Sequence, residues 1–427
     1  MDVHLQQRAL PVRRGTARLT PRGRRGHPVL PGGLGRSTFA VGADSPVVVR
    51  GEGPRVWDAD GNELIDLNAN FTTLVHGHAH PLIVRAAQRA TADGASFGMP
   101  SRPEMLHAEV LLDRLPDYDQ VRYSNSGSEA VATALRVARA ATGRDKAIFV
   151  RRAYHGTSDH ALATGGEGAR RGVSRAVLDE TLVLALNDID ALVRAVAEHD
   201  GKIAAIVLDR LPNRAGLLPL RVDYARRARE LCDRHGIVLV GDEVVTFRLA
   251  HGGIAGEDGV RPDLLTLGKL IGGGHPVGAV VGGADLMAEF DPRRGGALEH
   301  GGTFNGNPVS MEAGRVALDL LDPVAIERVN GLGDRARARL AAEAGDAWEV
   351  RGRGSLLRLF PVAGDAAAWQ LDLWWAAYAR GVLLMQTALA ALPTVLSDGD
   401  LERCVDAIAE AAREVAARRA ADGDGSG

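Results

Sequence analysis

"IVLVGDEVVTFRLAHGGIAGEDGVRPDLLTLGKLIGGGHPVGAVVGG", residues 237–283, decides the fold. It contains three short apolar runs, at 237–242, 264–268 and 278–283. All are too short for helices, rich in Val and Leu, and bounded by glycine or proline. Runs that are apolar throughout, rather than alternating, belong to strands covered on both faces, as in a mostly parallel sheet. The first run ends on Asp242 and the second runs into Lys269.

Outward from this stretch the same grammar repeats. "QVRYS" (120–124), "KAIFV" (146–150) and "IAAIVLD" (203–209) read as further strands. Helices are expected over "SEAVATALRVARAAT" (128–142), "DIDALVRAVAEH" (188–199), "VDYARRARELCDRHG" (222–236) and "PVSMEAGRVALDLL" (308–321). In the first, Val131, Leu135 and Ala138 share one face. In the third, Gly236 supplies a C-cap signal. Strands alternating with helices make an α/β domain, expected over 76–325. From 326 to 420 the pattern restarts with Ala/Arg/Leu/Glu helices and short strands such as "LLRLF" (356–360), which reads as a smaller α+β domain. Residues 28–75 are expected to join it, with a hairpin turn at Asp60-Gly61.

The chain has 427 residues, 45% hydrophobic and 25% charged, with a net charge of −3. That balance points to a soluble, cytoplasmic protein and to neither nucleic acid nor membrane as a partner. Two cysteines, Cys232 and Cys404, make no disulfide framework and read as reduced core thiols. Residues 1–27 carry seven arginines against one acid, Asp2, without the apolar core of a secretory signal. They read as a disordered arm, and 421–427, "ADGDGSG", as a disordered tail.

Three lysines occur in the chain, Lys146, Lys202 and Lys269; the other basic residues are arginine. Arginine cannot form an imine, so a lysine kept between "LLTLG" and "LIGGG" is a candidate for covalent chemistry. Its plain alternative is a surface amine on a snorkelling stem. Ligands of open α/β sheets sit beyond the carboxyl ends of the strands, where two more groups gather. Ser126, Gly127 and Ser128 open a helix, either as a simple N-cap with Glu129 completing a capping box or as a phosphate cradle. Asp242 is either half of an ion pair or a helix cap, or a carboxylate that keeps a heteroaromatic nitrogen protonated. Cradle, carboxylate and lysine together describe a site for pyridoxal 5'-phosphate. Metal sites are not expected. Gly61 falls at the wrong loop position for a calcium hand counted from Asp58. His76, His78 and His80 alternate as on a strand face, but no acid or cysteine lies near them in sequence.

"LPGG" (30–33), "WDADGNELID" (57–66), "HGHAHP" (76–81), "NSGSEA" (125–130), "AYHG" (153–156), "GDEV" (241–244), "PDLLTLGKLIGGGHPVGAVVGG" (262–283) and "GGTFNGNPVSMEAG" (301–314) resemble, in order and spacing, the class III aminotransferases, nearest the branch that contains glutamate-1-semialdehyde aminomutase. The resemblance implies a fold type I PLP-dependent transferase, with a mostly parallel seven-stranded sheet in the large domain. It also implies a homodimer with active sites at the subunit interface. It makes Lys269 the Schiff-base lysine and Asp242 the partner of the pyridine nitrogen. Ser126, Gly127 and Ser128 would hold the phosphate. Tyr154 would lie over the ring with His155 beside it, Val244 on the other face, and Thr303 on the phosphate of the partner subunit's cofactor.

The substrate positions depart from the resemblance. Phe39 stands where the aminomutase has its carboxylate-binding arginine, and Arg36 lies three residues earlier. The family's "EP" is Asp209-Arg210, and its following asparagine is Arg214. "MQTALAAL" (385–392) replaces a glutamate-bearing loop. Arg36, Arg210 and Arg214 are therefore the candidate substrate contacts. The expected activity is transfer of an amino group from an amino-acid donor, such as glutamate, to a keto or aldehyde acceptor of specialised metabolism. An aminomutase or epimerase, and a non-catalytic cofactor-binding regulator, are the alternatives.

Overall fold

The computed structural model describes residues 29–41 and 45–421. The arm expected over 1–27 and the tail beyond 421 lie outside the described residues. Fourteen strands appear among the described residues. They are β1 (Val48–Glu52), β2 (Arg55–Asp58), β3 (Glu63–Asp66), β4 (Gln120–Ser124), β5 (Lys146–Val150), β6 (Thr181–Leu184) and β7 (Ile203–Leu208). The rest are β8 (Val238–Asp242), β9 (Leu264–Gly268), β10 (Gly278–Gly282), β11 (Trp348–Arg353), β12 (Leu356–Pro361), β13 (Val382–Leu383) and β14 (Leu389–Ala391).

Seven strands form the central sheet in the order β4-β10-β9-β8-β7-β5-β6. β10 runs antiparallel to both of its neighbours; the other pairings are parallel. Successive residues of β5 go to opposite faces. Ala147 and Phe149 pack under the helix Gly127–Thr142, against Val131, Ala134 and Leu135. Ile148 and Val150 pack under the helices Ile189–Glu198 and Val222–His235, against Leu192, Tyr224 and Leu231. Both faces are covered, which is why these strands read as unbroken apolar runs. Cys232 and Cys404 are buried free thiols. No helix among the described residues is long and apolar enough to cross a membrane.

A second body holds the three-stranded sheet β11-β12-β14 and the four-stranded sheet β1-β2-β3-β13. Its helices are Pro323–Glu343, Ala366–Tyr378 and Asp398–Ala421. Its core centres on Leu357, Leu359, Trp374, Leu401 and Ile408. β13 lies parallel to β3, with Val382 opposite Ile65, so the two ends of the chain share one sheet.

Between the two bodies lies a turn that pattern reading does not foresee. Ala69, Asn70, Phe71 and Thr72 all have positive φ, between 46° and 73°. A left-handed turn costs L-residues roughly 1–2 kcal/mol each, so its neighbours must hold it. Asp66 Oδ1 accepts from the Asn68 and Ala69 amides at 2.8 and 2.9 Å. Asn68 Oδ1 accepts from the Phe71 amide at 2.7 Å. Arg248, with no exposed surface, donates to the Thr72 carbonyl, to Ser355 Oγ and to the Leu392 carbonyl. One cation thus ties the turn to the loop after β8 and to both sides of the second body.

Candidate active site

Parallel strands β7, β8 and β9 end side by side. Leu208 faces Gly241, and Asp242 faces Thr266. The chain therefore delivers Asp209, Asp242 and Lys269 to one edge of the sheet. Asp242 Oδ1 accepts from the Val244 amide at 3.0 Å. Its Oδ2 lies 2.6 Å from His155 Nδ1. His155 follows β5, packs against Phe149 and is buried, with no described partner for Nε2. The nitrogen facing the carboxylate carries the proton, since a carboxylate oxygen only accepts.

Lys269 leaves β9 in a left-handed conformation, φ 52°, an uncommon state for a side-chain-bearing residue and one that gathers at functional sites. Burial lowers the pKa of its amine, and the charges of Asp242 and Asp209 oppose the change. Asp209, read from sequence only as a departure, is itself buried. Desolvation and then repulsion by Asp242 push its carboxyl up to about 7, while His155 and Lys269 pull it back. Glu243 turns away from this group, to Thr246 Oγ1 and the Ile254 and Ala255 amides. Burial raises it to about 8.

The helix Gly127–Thr142 points its N-terminus at the same edge. Ser126 is the N-cap and accepts from the Glu129 amide at 3.2 Å. Glu129 turns back to the Asn125 amide at 2.6 Å, so its carboxylate is held off the helix axis. The Gly127 and Ser128 amides, first in the helix, have no intrahelical acceptor. A Cβ on Gly127 would stand 2.9 Å from Val244, and one on Gly156 would overlap Ser128. Backbone can approach a ligand closely here for want of side chains. Ser128 Oγ accepts from the Thr157 amide at 3.1 Å, fixing the Tyr154 loop to the helix start.

The remaining candidates are spread more widely. Arg214 lies with its guanidinium 4.3 Å from the centre of the Tyr154 ring. Arg36 stacks on Phe39 at 4.2 Å and reaches Phe71 of the left-handed turn at 5.5 Å. Arg210 is half-buried in an ion pair with Asp258, so its charge is already compensated. Thr303 is exposed beside Phe304, in a loop tied to the helix start by Asn125 Nδ2 donating to Asn305 Oδ1 at 2.8 Å. The three histidines of "HGHAH" do not share a face, because Gly77 and Ala79 at positive φ break the extended chain. His76 bonds Thr394 and the Ala317 carbonyl, and His78 pairs with Asp66, an acid ten or more residues upstream.

The donor set fits a phosphorylated pyridine aldehyde. Free amides at a helix N-terminus suit a dianion. A buried carboxylate held by a histidine suits a ring nitrogen. A buried amine with lowered pKa suits a carbonyl carbon.

The chain is similar to known proteins. The family described as Aminotransferase class-III matches residues 38–412. A glutamate-1-semialdehyde 2,1-aminomutase of Rhodopirellula baltica is 39% identical over 347 residues, which is 78% of this chain and 79% of that protein. An omega-transaminase from Sphaerobacter thermophilus superposes with a TM-score of 0.88 at 38% identity, covering 94% of this chain and 98% of that one. A transaminase with PLP bound gives a TM-score of 0.88 at 37% identity, over 91% and 96% of the two chains.

Proposed function

The chain belongs to the class III aminotransferases, pyridoxal-phosphate enzymes of fold type I, and from that premise we propose that it moves an amino group from an amino-acid donor, such as glutamate, to a keto or aldehyde acceptor. The observation that carries the reading is Lys269, a desolvated amine in the field of Asp242 and Asp209 at the end of β9. When bound, the cofactor condenses with amines and takes up the electron pair left at the substrate carbon.

Each residue has a task in this reading. The Ser126–Ser128 amides and hydroxyls hold the phosphate. Asp242, oriented by the His155 N–H, would pair with the ring nitrogen. Tyr154 covers one ring face and Val244 the other. Lys269 Nζ, its pKa lowered by burial, takes the proton from the substrate carbon and returns it one atom away. The cationic acceptor side is read from Arg214 and Arg36; Arg210, committed to Asp258, is given a structural part. A homodimer is supported by the exposed apolar side chains Phe97 and Met99, which line a small cleft with Thr303, and by Phe304 next to it, with Thr303 serving the partner's phosphate. Two buried thiols suit a reducing cytoplasm. Divergence at Phe39, Arg214 and Gln386 beside intact cofactor positions favours specialised metabolism.

The aminomutase reading has its own support in the Rhodopirellula baltica relative. Rapid-scan spectroscopy separates the two. An aminotransferase with an amino donor alone is converted to the amine form of the cofactor and releases one equivalent of keto acid. An aminomutase isomerises a single substrate and releases none. A loaded enzyme that no amino donor converts would overturn the transaminase proposal.

A further inference from the structure

Arg214 lies in a one-turn segment, Asn213–Ala215, that follows β7. It is exposed, and among the described residues it meets no acid; its partner is the ring of Tyr154. A guanidinium stacked on an aromatic face is held in place while its N–H edge stays open. Arg152 follows β5, two residues before Tyr154. It is exposed too, without an acid among the described residues, and it sits at a positive φ of 64°. A strained, side-chain-bearing residue at the carboxyl end of a strand points to a ligand site.

Behind these two stands Arg358 on β12, buried, with no acid against it. It donates to the Asn213 carbonyl and to Gln370 Oε1, and its Nε has no described partner. Arg358 therefore pins the residue next to Arg214. Burial, then repulsion from Arg351 and Arg152, lowers its pKa to about 10. Arg351, stacked on Phe360, pairs with Glu349. Arg358 thus feels the charges of Arg351 and Arg152 and touches the segment that carries Arg214, while Glu349 pairs with Arg351. Charge of one sign gathered without counterions destabilises a fold, unless an anion completes it.

We infer that Arg214 and Arg152, with Tyr154 as platform and Arg358 as support, form a subsite for an oxyanion, carboxylate or phosphate, carried by the substrate at the end remote from its reacting amine. The inference rests on the proposed site at Lys269, since Tyr154 borders both. It narrows the substrate to one with a second acidic group and assigns that group to residues that follow β5 and β7.

The experiment uses the holoenzyme. Its visible band, and borohydride fixation of the cofactor to Lys269, test the active site alone. Dead-end binding is then measured by calorimetry with glutarate, with 3-phosphonopropionate and with butyrate, none of which carries an amine. The expected result is that one of the two dianions binds about tenfold or more tighter than butyrate, as a charge-assisted contact predicts. The stronger of the two names the group as carboxylate or phosphate. R214Q and, separately, R152Q should each reduce that preference, read as the ratio of dianion to butyrate affinity in the same variant. Dianions binding no tighter than butyrate in a correctly loaded enzyme, or a preference that survives both substitutions, overturns the inference and leaves the Lys269 site standing.

Discussion

His155 Nδ1 stands 2.6 Å from Asp242 Oδ2, and neither side chain is more than marginally exposed. The His155 N–H is the donor that orients this buried carboxylate at the end of β8. His155→Phe removes the donor at similar size. A buried charge-assisted hydrogen bond contributes about 1.5–3 kcal/mol, so kcat/KM should fall roughly 10- to 150-fold. The visible spectrum of the loaded enzyme should shift with pH as the ring nitrogen loses its proton. Steady-state kinetics and a pH titration of that spectrum check this.

Lys269→Arg keeps a cation of similar length and removes the chemistry, because a guanidinium cannot form an imine. The variant should fold, bind cofactor without the lysine-linked visible band and lose turnover by several orders of magnitude. Absorbance after dialysis and mass analysis after borohydride treatment read the result.

Gly314→Ala tests how the lysine loop is seated. In an ordinary helix this change stabilises by about 1 kcal/mol. Here a Cβ would overlap the Ile271 carbonyl, two residues past Lys269, and approach His107 Nε2. His107 itself bonds that carbonyl at 2.6 Å and Tyr123 Oη at 2.7 Å. Overpacking of about 1–3 kcal/mol should outweigh the helix gain. Thermal unfolding should show a lower Tm, and cofactor affinity should fall with it.

Asp209 predicts a pH effect on stability. Its folded pKa, about 7, lies above the ordinary 3.8. The folded state therefore holds the proton more tightly than the unfolded state, and stability declines as pH rises from about 4 to about 7, then levels. Asp209→Asn removes this term. Relative to wild type the variant should gain on the order of 1–3 kcal/mol between acidic and mildly alkaline pH, measured by urea unfolding at several pH values. Parallel curves for the two proteins would sink the claim.

Strand positions 146–150 and 264–268 could be read to the residue because burial on both faces leaves one kind of side chain to use; 120–124, a half-exposed edge strand, is read from its β-prone residues before a helix start. β6 escaped, since Thr181–Leu184 is four residues long, half-buried and at the sheet edge. The left-handed turn at 69–72 gave no glycine to announce it; its causes are Asp66, Asn68 and Arg248, one of them far along the chain. Asp242 and Lys269 stood out by their place at strand ends. Asp209 did not, because its raised pKa comes first from burial and then from Asp242 on the next strand, both supplied only by the fold. The Arg214–Tyr154 stacking is likewise a fact of two loops meeting, and no local pattern encodes it.

The pairing of β13 with β3 has a consequence for biosynthesis. Residues 63–66 leave the ribosome more than three hundred residues before Val382 and Leu383 exist to complete their sheet. At usual elongation rates the nascent hairpin waits on the order of half a minute with an open edge. A nascent chain stalled before residue 382 should therefore remain a client of holdase chaperones, and release should coincide with synthesis of the last short strands.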